Sequence, residues 1–145
     1  MNYKLKTVTL NVSCGDSKTL NQPSLLADYC SSIFENLDSA QEHFILLCLD
    51  GNHRVIGYKI LCSGTQSSCN VDCTLLWRAA LALGARCIAI AHNHPTGALE
   101  PSQDDIAITK KILDGGELLD IELIDHLIIT TDNHLSICQT YANIF

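Results

Sequence analysis

The stretch AHNHPTG, residues 91–97, carries two histidines one residue apart and then breaks at Pro95 and Gly97. Side chains at i and i+2 of an extended segment share a face, so His92 and His94 aim their imidazoles the same way. Seven residues separate His94 from Ser102, and Asp105 follows three positions later. If a helix begins near Ser102, Asp105 lies one turn into it and on the same side. A strand end thus offers two nitrogens, and the next helix start offers a carboxylate. Two imidazoles and one carboxylate leave the fourth tetrahedral position of a zinc ion open, as in catalytic sites. A closed structural site fills all four positions with protein atoms.

Each piece also has a simpler reading. Ser102-x-x-Asp105 has the spacing of a capping box, which needs no metal. His92 and His94 could make polar contacts within a loop. Asp104 suits the first turn of a helix, where an acid meets the positive end of the dipole. The metal reading rests on the combination: a strand end, a short Pro/Gly loop and an acidic helix start bring the ligands to one place.

The surrounding elements must do that positioning. PSLLADYCSSIFENLD spaces Leu25, Leu26, Tyr29, Ile33, Phe34 and Leu37 as an amphipathic helix does, with Pro23 or Ser24 in its first turn. HFILLCLDGNHRVIGYKILCSGT reads as two strands joined by a tight turn at Asp50-Gly51-Asn52. DCTLLWRAALALGA is a second helix, with Asp72 as N-cap and Gly84 as its stop. RCIAIAH is almost wholly apolar, the mark of a strand buried on both faces. A third helix runs from near Ser102 to the Gly115-Gly116 break or slightly past it. IELIDHLIITTDNHLSICQ supplies two more strands around Asp132-Asn133. Residues 5–12 look like one more short strand. Helices interleaved with strands predict one α/β domain, a mixed sheet covered on both faces. The helix between the hairpin and the buried strand would form a crossover.

Composition narrows the function classes. The 145 residues are 47% hydrophobic and 17% charged, which describes a globular domain with a real core. A net charge of −7 argues against broad attraction to nucleic acid or anionic membrane. No apolar run approaches the roughly 20 residues of a membrane span. MNYKLKTVTLNVSCG alternates polar and apolar residues, unlike a signal peptide, so a cytoplasmic location is expected. The eight cysteines contain no C-x-x-C pair, and several fall inside apolar runs. In a reducing compartment they are expected to act as buried thiols. Cys69 and Cys73 are the one close pair that could bind metal, and they lack two evident companions. His43, His53 and His134 sit beside turns or strand ends with nothing to mark them as ligands, and Asp125 and His126 read as strand residues with structural hydrogen bonds.

The residues also carry a resemblance. H-x-H, seven residues, S, two residues, D is the JAMM motif of the MPN metalloprotease superfamily, and His92, His94, Ser102 and Asp105 satisfy it. AHNHPTGALEPSQDD followed by ITKKILDGGELLDIELIDHLIIT resembles the RadC family, a bacterial branch of that superfamily. QEHFILLCLDGNHRVI, SGT and RAALALGARCIAIAHNHP resemble it too, in the same order, over about residues 22–140. The resemblance implies a single three-layer domain over 22–145, of the MPN/JAB, cytidine-deaminase-like class, preceded by an N-terminal extension at 1–21. It implies a zinc cofactor held by His92, His94 and Asp105, and hydrolysis of a peptide or isopeptide bond in a protein substrate. It places the general base at Glu42 in QEHF, with Ser102 donating to the oxyanion. Glu35, late on an amphipathic helix, is expected to be solvated instead. Glu42 begins a strand while His92 ends one, so they share a site only if those ends lie on one sheet edge.

Two departures are visible. Relatives commonly show V-x-P-R-E entering the second helix, where this chain has VDCTLLW, with Cys73, Thr74 and Leu75 in place of Pro, Arg and Glu. The helix-hairpin-helix region of longer RadC proteins is not among these residues. A DNA-repair-associated role and a non-catalytic interaction module are the competing functions. The charge balance weighs against the first, and the complete set of candidate ligands against the second. The letters HNH at 92–94 do not make an HNH nuclease, whose named residues are dispersed over a larger unit.

Overall fold

The structure, a computed structural model, describes residues 13–14, 18–64 and 70–145. The strand expected over 5–12 lies outside them, as does Cys69. In chain order the elements are β1 (Ser13–Cys14), α1 (Pro23–Phe34), β2 (His43–Leu49), β3 (Val55–Ser63), α2 (Cys73–Ala82), β4 (Cys87–Asn93), α3 (Gln103–Leu119), β5 (Glu122–Ile129), β6 (His134–Ser136) and α4 (Ile137–Thr140). The strands form one sheet in the order β1-β3-β2-β4-β5-β6. Every neighbouring pair is antiparallel except β4–β5, which α3 connects. This is the mixed α/β sheet between helices that the sequence predicts.

The core divides at the sheet. All seven residues of β2, HFILLCL, are buried, so both of its faces are covered. Ile45, Leu47 and Leu49 join Ala89, Ala91, Leu127 and Ile129 on one face, where α1 brings Leu26, Ala27, Cys30 and Ile33. Phe44, Leu46 and Cys48 join Ile88 and Ile90 on the other, under Leu76, Ala79 and Ala80 of α2 and Ile112 of α3. Each fully buried Leu or Ile contributes about 1.5–3 kcal/mol relative to exposure. Leu20, within the segment set apart as an extension, is buried in the α1-side core, and its amide donates to the His53 carbonyl.

Local chemistry explains where elements start and stop. Asp72 caps α2 by accepting from the Thr74 and Leu75 amides, so this helix begins without a proline. Gly84 ends it at φ +66, in the left-handed region that glycine enters without strain. The β2–β3 connection is longer than the tight turn expected at Asp50-Gly51-Asn52. It spans residues 50–54, the Asp50 carboxylate accepts from the Asn52 and Arg54 amides, and the left-handed residue is His53 rather than Gly51. The chain also closes differently from the expected strand. Ser136 donates to the buried Asp125 carboxylate and accepts from the Gln139 amide, while the Cys138 amide donates to Asp125. That carboxylate draws residues 137–140 into the helical turn of α4.

Among the described residues Cys30, Cys48, Cys73, Cys87 and Cys138 are free thiols. Burial pushes Cys48 up to about 12 and Cys87 up to about 11, which makes both inert hydrophobes at neutral pH. Cys62 departs from the expected reduced state and is disulfide-bonded. No helix of the described residues is long and apolar enough to cross a membrane.

Of the two bounds expected for α3, the longer holds: the helix runs through the glycine pair to Leu119 and ends at Asp120 in the left-handed conformation. These glycines serve close approach. The Trp77 ring of α2 lies on Gly115, 2.8 Å from where a Cβ would stand, and the Ile121 carbonyl oxygen occupies the space of a Cβ on Gly116. Glycine to alanine in an exposed helix interior ordinarily gains about 1 kcal/mol. Here G116A is expected to reverse that sign and cost about 1–3 kcal/mol in urea unfolding. A G116A protein more stable than its parent would refute the packing role.

Candidate metal centre

The antiparallel pairing of β2 and β4 sets Phe44 opposite His92. The start of β2 and the end of β4 therefore share one sheet edge, the condition under which Glu42 and the histidines can meet. Glu42 stands two residues before Phe44, and His94 two after His92, so period-2 alternation turns all four side chains to the α2/α3 face. On α3 the buried positions Asp105, Thr109, Ile112 and Gly116 form one stripe that lies over the sheet. Asp105 is its first residue, at the helix start beside the histidines.

Glu42, His92, His94 and Asp105 each direct one ligand atom into the same space, and those atoms lie within 4.8 Å of one another. His92 Nε2 and His94 Nε2 are 2.8 Å apart. The Asp105 carboxylate closes the triangle, with Oδ1 3.3 Å from His92 and Oδ2 3.5 Å from His94. An ion with bonds of about 2.0–2.2 Å spaces tetrahedral ligands roughly 3.3 Å apart, so the triangle has the dimensions of a zinc-sized cage. The donor set fits as well. His94 Nδ1 lies 2.7 Å from the Ala98 carbonyl oxygen, which can only accept. The ring proton belongs on Nδ1, and neutral His94 presents a bare Nε2 to the cluster.

The backbone holds these groups firmly. The His94 amide donates to the Ile129 carbonyl at the end of β5, and the turn from His94 to Gly97 closes with a 3.0 Å hydrogen bond. Gly97 adopts φ +81 in that turn. Asn93, between the two histidines, extends the β2–β4 ladder with its side chain. Its Oδ1 accepts from the His43 amide at 2.6 Å, and its Nδ2 donates to the Gln41 carbonyl at 2.8 Å. Those are the residues flanking Glu42, whose own carbonyl accepts from the Gly64 amide. His43 turns away and bonds Ser63 and the Asp38 carbonyl.

Electrostatics follow from the crowding. Burial raises the Glu42 carboxyl pKa, and Asp105 adds to this, while the two imidazoles oppose it. Burial also pushes Asp105 up, but its close contacts with the His92 and His94 rings dominate and hold it well below the usual carboxylate range. The same contact with Asp105 raises His94, which burial opposes and the Ala98 carbonyl reinforces.

Ser102 and Asp105 do form the capping box. Ser102 Oγ accepts from the Asp105 amide, and the Ser102 amide donates to Asp105 Oδ2 at 2.8 Å. Capping and membership of the cluster coexist, since Oδ1 of Asp105 faces His92. Ser102 is exposed at the mouth of the site. Asp104 points to solvent in the first turn, and Glu35 is exposed at the end of α1. The sequence marks His126 first as a strand residue with structural hydrogen bonds. It is fully buried, and one ring nitrogen lies 2.8 Å from His92 Nδ1. Its place beside Asp125 in a buried strand was the available signal, but only the fold shows which side chain it meets.

The comparisons agree with this architecture. A family model described as a RadC-like JAB domain matches residues 20–142. A UPF0758 protein of Cyanothece sp. is 39% identical over 121 residues, covering 83% of this chain and 49% of that protein. A UPF0758 protein of Acinetobacter baylyi is 38% identical over 124 residues, covering 86% of this chain and 45% of its own length. One of Cellvibrio japonicus is 37% identical over 120 residues, with 83% and 53% covered. The chain spans about half the length of these curated relatives.

If the Asn93 amide locks the strand end that carries Glu42, N93A removes the acceptor of the His43 amide. Loss of one such bond is worth about 0.5–1.5 kcal/mol, so that amide should exchange with deuterium roughly two- to tenfold faster. Unchanged exchange at His43 would show that the clasp holds nothing.

Proposed function

The chain belongs to the RadC-like JAB domain family, and from that premise we propose that it is a zinc-dependent hydrolase acting on peptide or isopeptide bonds. The observation that supports this reading is the convergence of Glu42, His92, His94 and Asp105. His92, His94 and Asp105 would hold the zinc, whose Lewis acidity polarises a carbonyl and lets water lose a proton near neutral pH. Glu42 is the general base. It sits among the ligands, and its raised pKa suits a group that accepts a proton from attacking water and passes it to the leaving amine.

Ser102 stabilises the developing oxyanion. Its hydroxyl accepts from the Asp105 amide and retains its own proton to donate outward. Losing one such donor typically costs about 2.7–4 kcal/mol of barrier. Its exposure at the helix start leaves it accessible to an incoming carbonyl. A protein or peptide partner also fits the net charge of −7 better than nucleic acid does.

Two measurements test the reading. Purified protein is expected to retain about one zinc per chain and to cleave members of a quenched-peptide or lysine-isopeptide panel. E42Q should keep the zinc and lose at least about 100-fold in turnover. Unchanged turnover in E42Q would remove Glu42 from the mechanism, and a wild-type chain without zinc would remove the centre. Zinc affinity should also fall as pH drops. The proton on His94, held more tightly because Asp105 accepts a hydrogen bond from it, competes for the nitrogen that would ligate. Affinity that is flat between pH 8 and 5.5 would contradict ligation through that nitrogen.

A further inference from the structure

Behind the cluster runs a line of hydrogen bonds whose direction the chemistry fixes at each step. Thr109 Oγ1 is 2.6 Å from the Asp105 main-chain oxygen and 2.6 Å from His126 Nδ1. A carbonyl oxygen only accepts, so the single hydroxyl proton goes to Asp105 and Oγ1 must accept from His126. His126 therefore carries its proton on Nδ1. Its two ring nitrogens are taken by Thr109 and His92, leaving none for a carboxylate, and it is fully buried. Such a ring is neutral, because burying an uncompensated imidazolium is costly. His126 Nε2 is then bare, and at 2.8 Å it accepts the Nδ1 proton of His92.

We propose that Thr109 and His126 are positioning residues that hold His92 in the one neutral tautomer whose Nε2 can ligate a metal. The proposal rests on the metal-centre reading above and extends it to two residues outside the JAMM motif. Phe44 fixes the ring planes. It stacks on His92 with centroids 5.6 Å apart and an interplanar angle of 3°, and it meets His126 edge-on at 5.4 Å. The line starts at the main-chain oxygen of Asp105 and ends at the bare Nε2 of His92, which faces the carboxylate of the same residue at 3.3 Å as a second acceptor rather than as a donor. The first two turns of α3 thereby orient two candidate ligands, Asp105 by carrying it and His92 through Thr109 behind it.

The test uses the full chain, the metal ions alone and a readout independent of hydrolysis. T109V keeps the side-chain shape and removes the hydroxyl, while T109S keeps the hydroxyl. Chelator competition with Zn2+ and Co2+ should show affinity about 10–100-fold weaker in T109V and restored in T109S. Equal affinity in wild type and T109V would overturn the positioning role while leaving the centre intact. Failure of the wild-type chain to bind either ion would overturn the centre itself. Nitrogen-15 NMR of the unsubstituted, metal-free protein gives an answer even if T109V does not fold. His92 and His126 are both expected to be protonated on Nδ1, and a neutral Nε2-protonated form of either ring would refute the relay.

Discussion

The register between β2 and β4 is the constraint on which the site depends. With Phe44 opposite His92, the end of one strand and the beginning of the other face α3 together. A slip of one residue would turn His92, His94 or Glu42 to the α1 side, because strand side chains alternate with a period of two. Such a slip is strongly opposed. It would exchange Ile45, Leu47 and Leu49 with Phe44, Leu46 and Cys48 between two separately packed cores. Seven buried residues in β2 and six in β4 thus guard the alignment of a few polar groups at one edge. The apolar strands position the site without taking part in its chemistry.

Polar groups in this region are satisfied in an ordered way. No buried side-chain nitrogen or oxygen among the described residues lacks a hydrogen-bond partner. That matters for His92, His126, Thr109 and Asp125, which sit where an unmet polar atom would cost about 1–3 kcal/mol. Asp125 illustrates the arrangement. Burial raises its carboxyl pKa, and bonds from the Ser136 hydroxyl and the Cys138 and His126 amides act against that. The same bonds tie β6 and α4 to β5, so one buried carboxylate organises the chain's C-terminal end.

Much of this was legible in the sequence, for identifiable reasons. The alternation that pairs His92 with His94, the cap at Asp72, the capping box at Ser102 and the buried run of β4 are local signals. Local signals survive without knowledge of the fold. Glu42 was legible only by resemblance, since nothing local separates it from the other acids. The failures are non-local. Helix α3 does end slightly past Gly115 and Gly116, but the reason for this pair, close approach by Trp77 and Ile121, comes from tertiary packing and not from a local stop. Asp50-Gly51 looked like a tight turn, yet the Asp50 side chain organised a longer loop and moved the left-handed position to His53. Residues 137–139 read as strand because Ile137 and Cys138 are apolar, but Asp125, more than ten positions earlier, recruits them into a turn. Thr109 gave no sign of a role beyond an ordinary helix position.

The contact between Trp77 and Gly115 has a practical side. Trp77 is the chain's single tryptophan, and its indole rests on the helix that also carries Asp105 and Thr109. Intrinsic tryptophan emission from this protein therefore comes from one indole wedged between α2 and α3. Undocking of α3 would expose that indole to water, so the spectrum serves as a label-free gauge of the helix that frames the site.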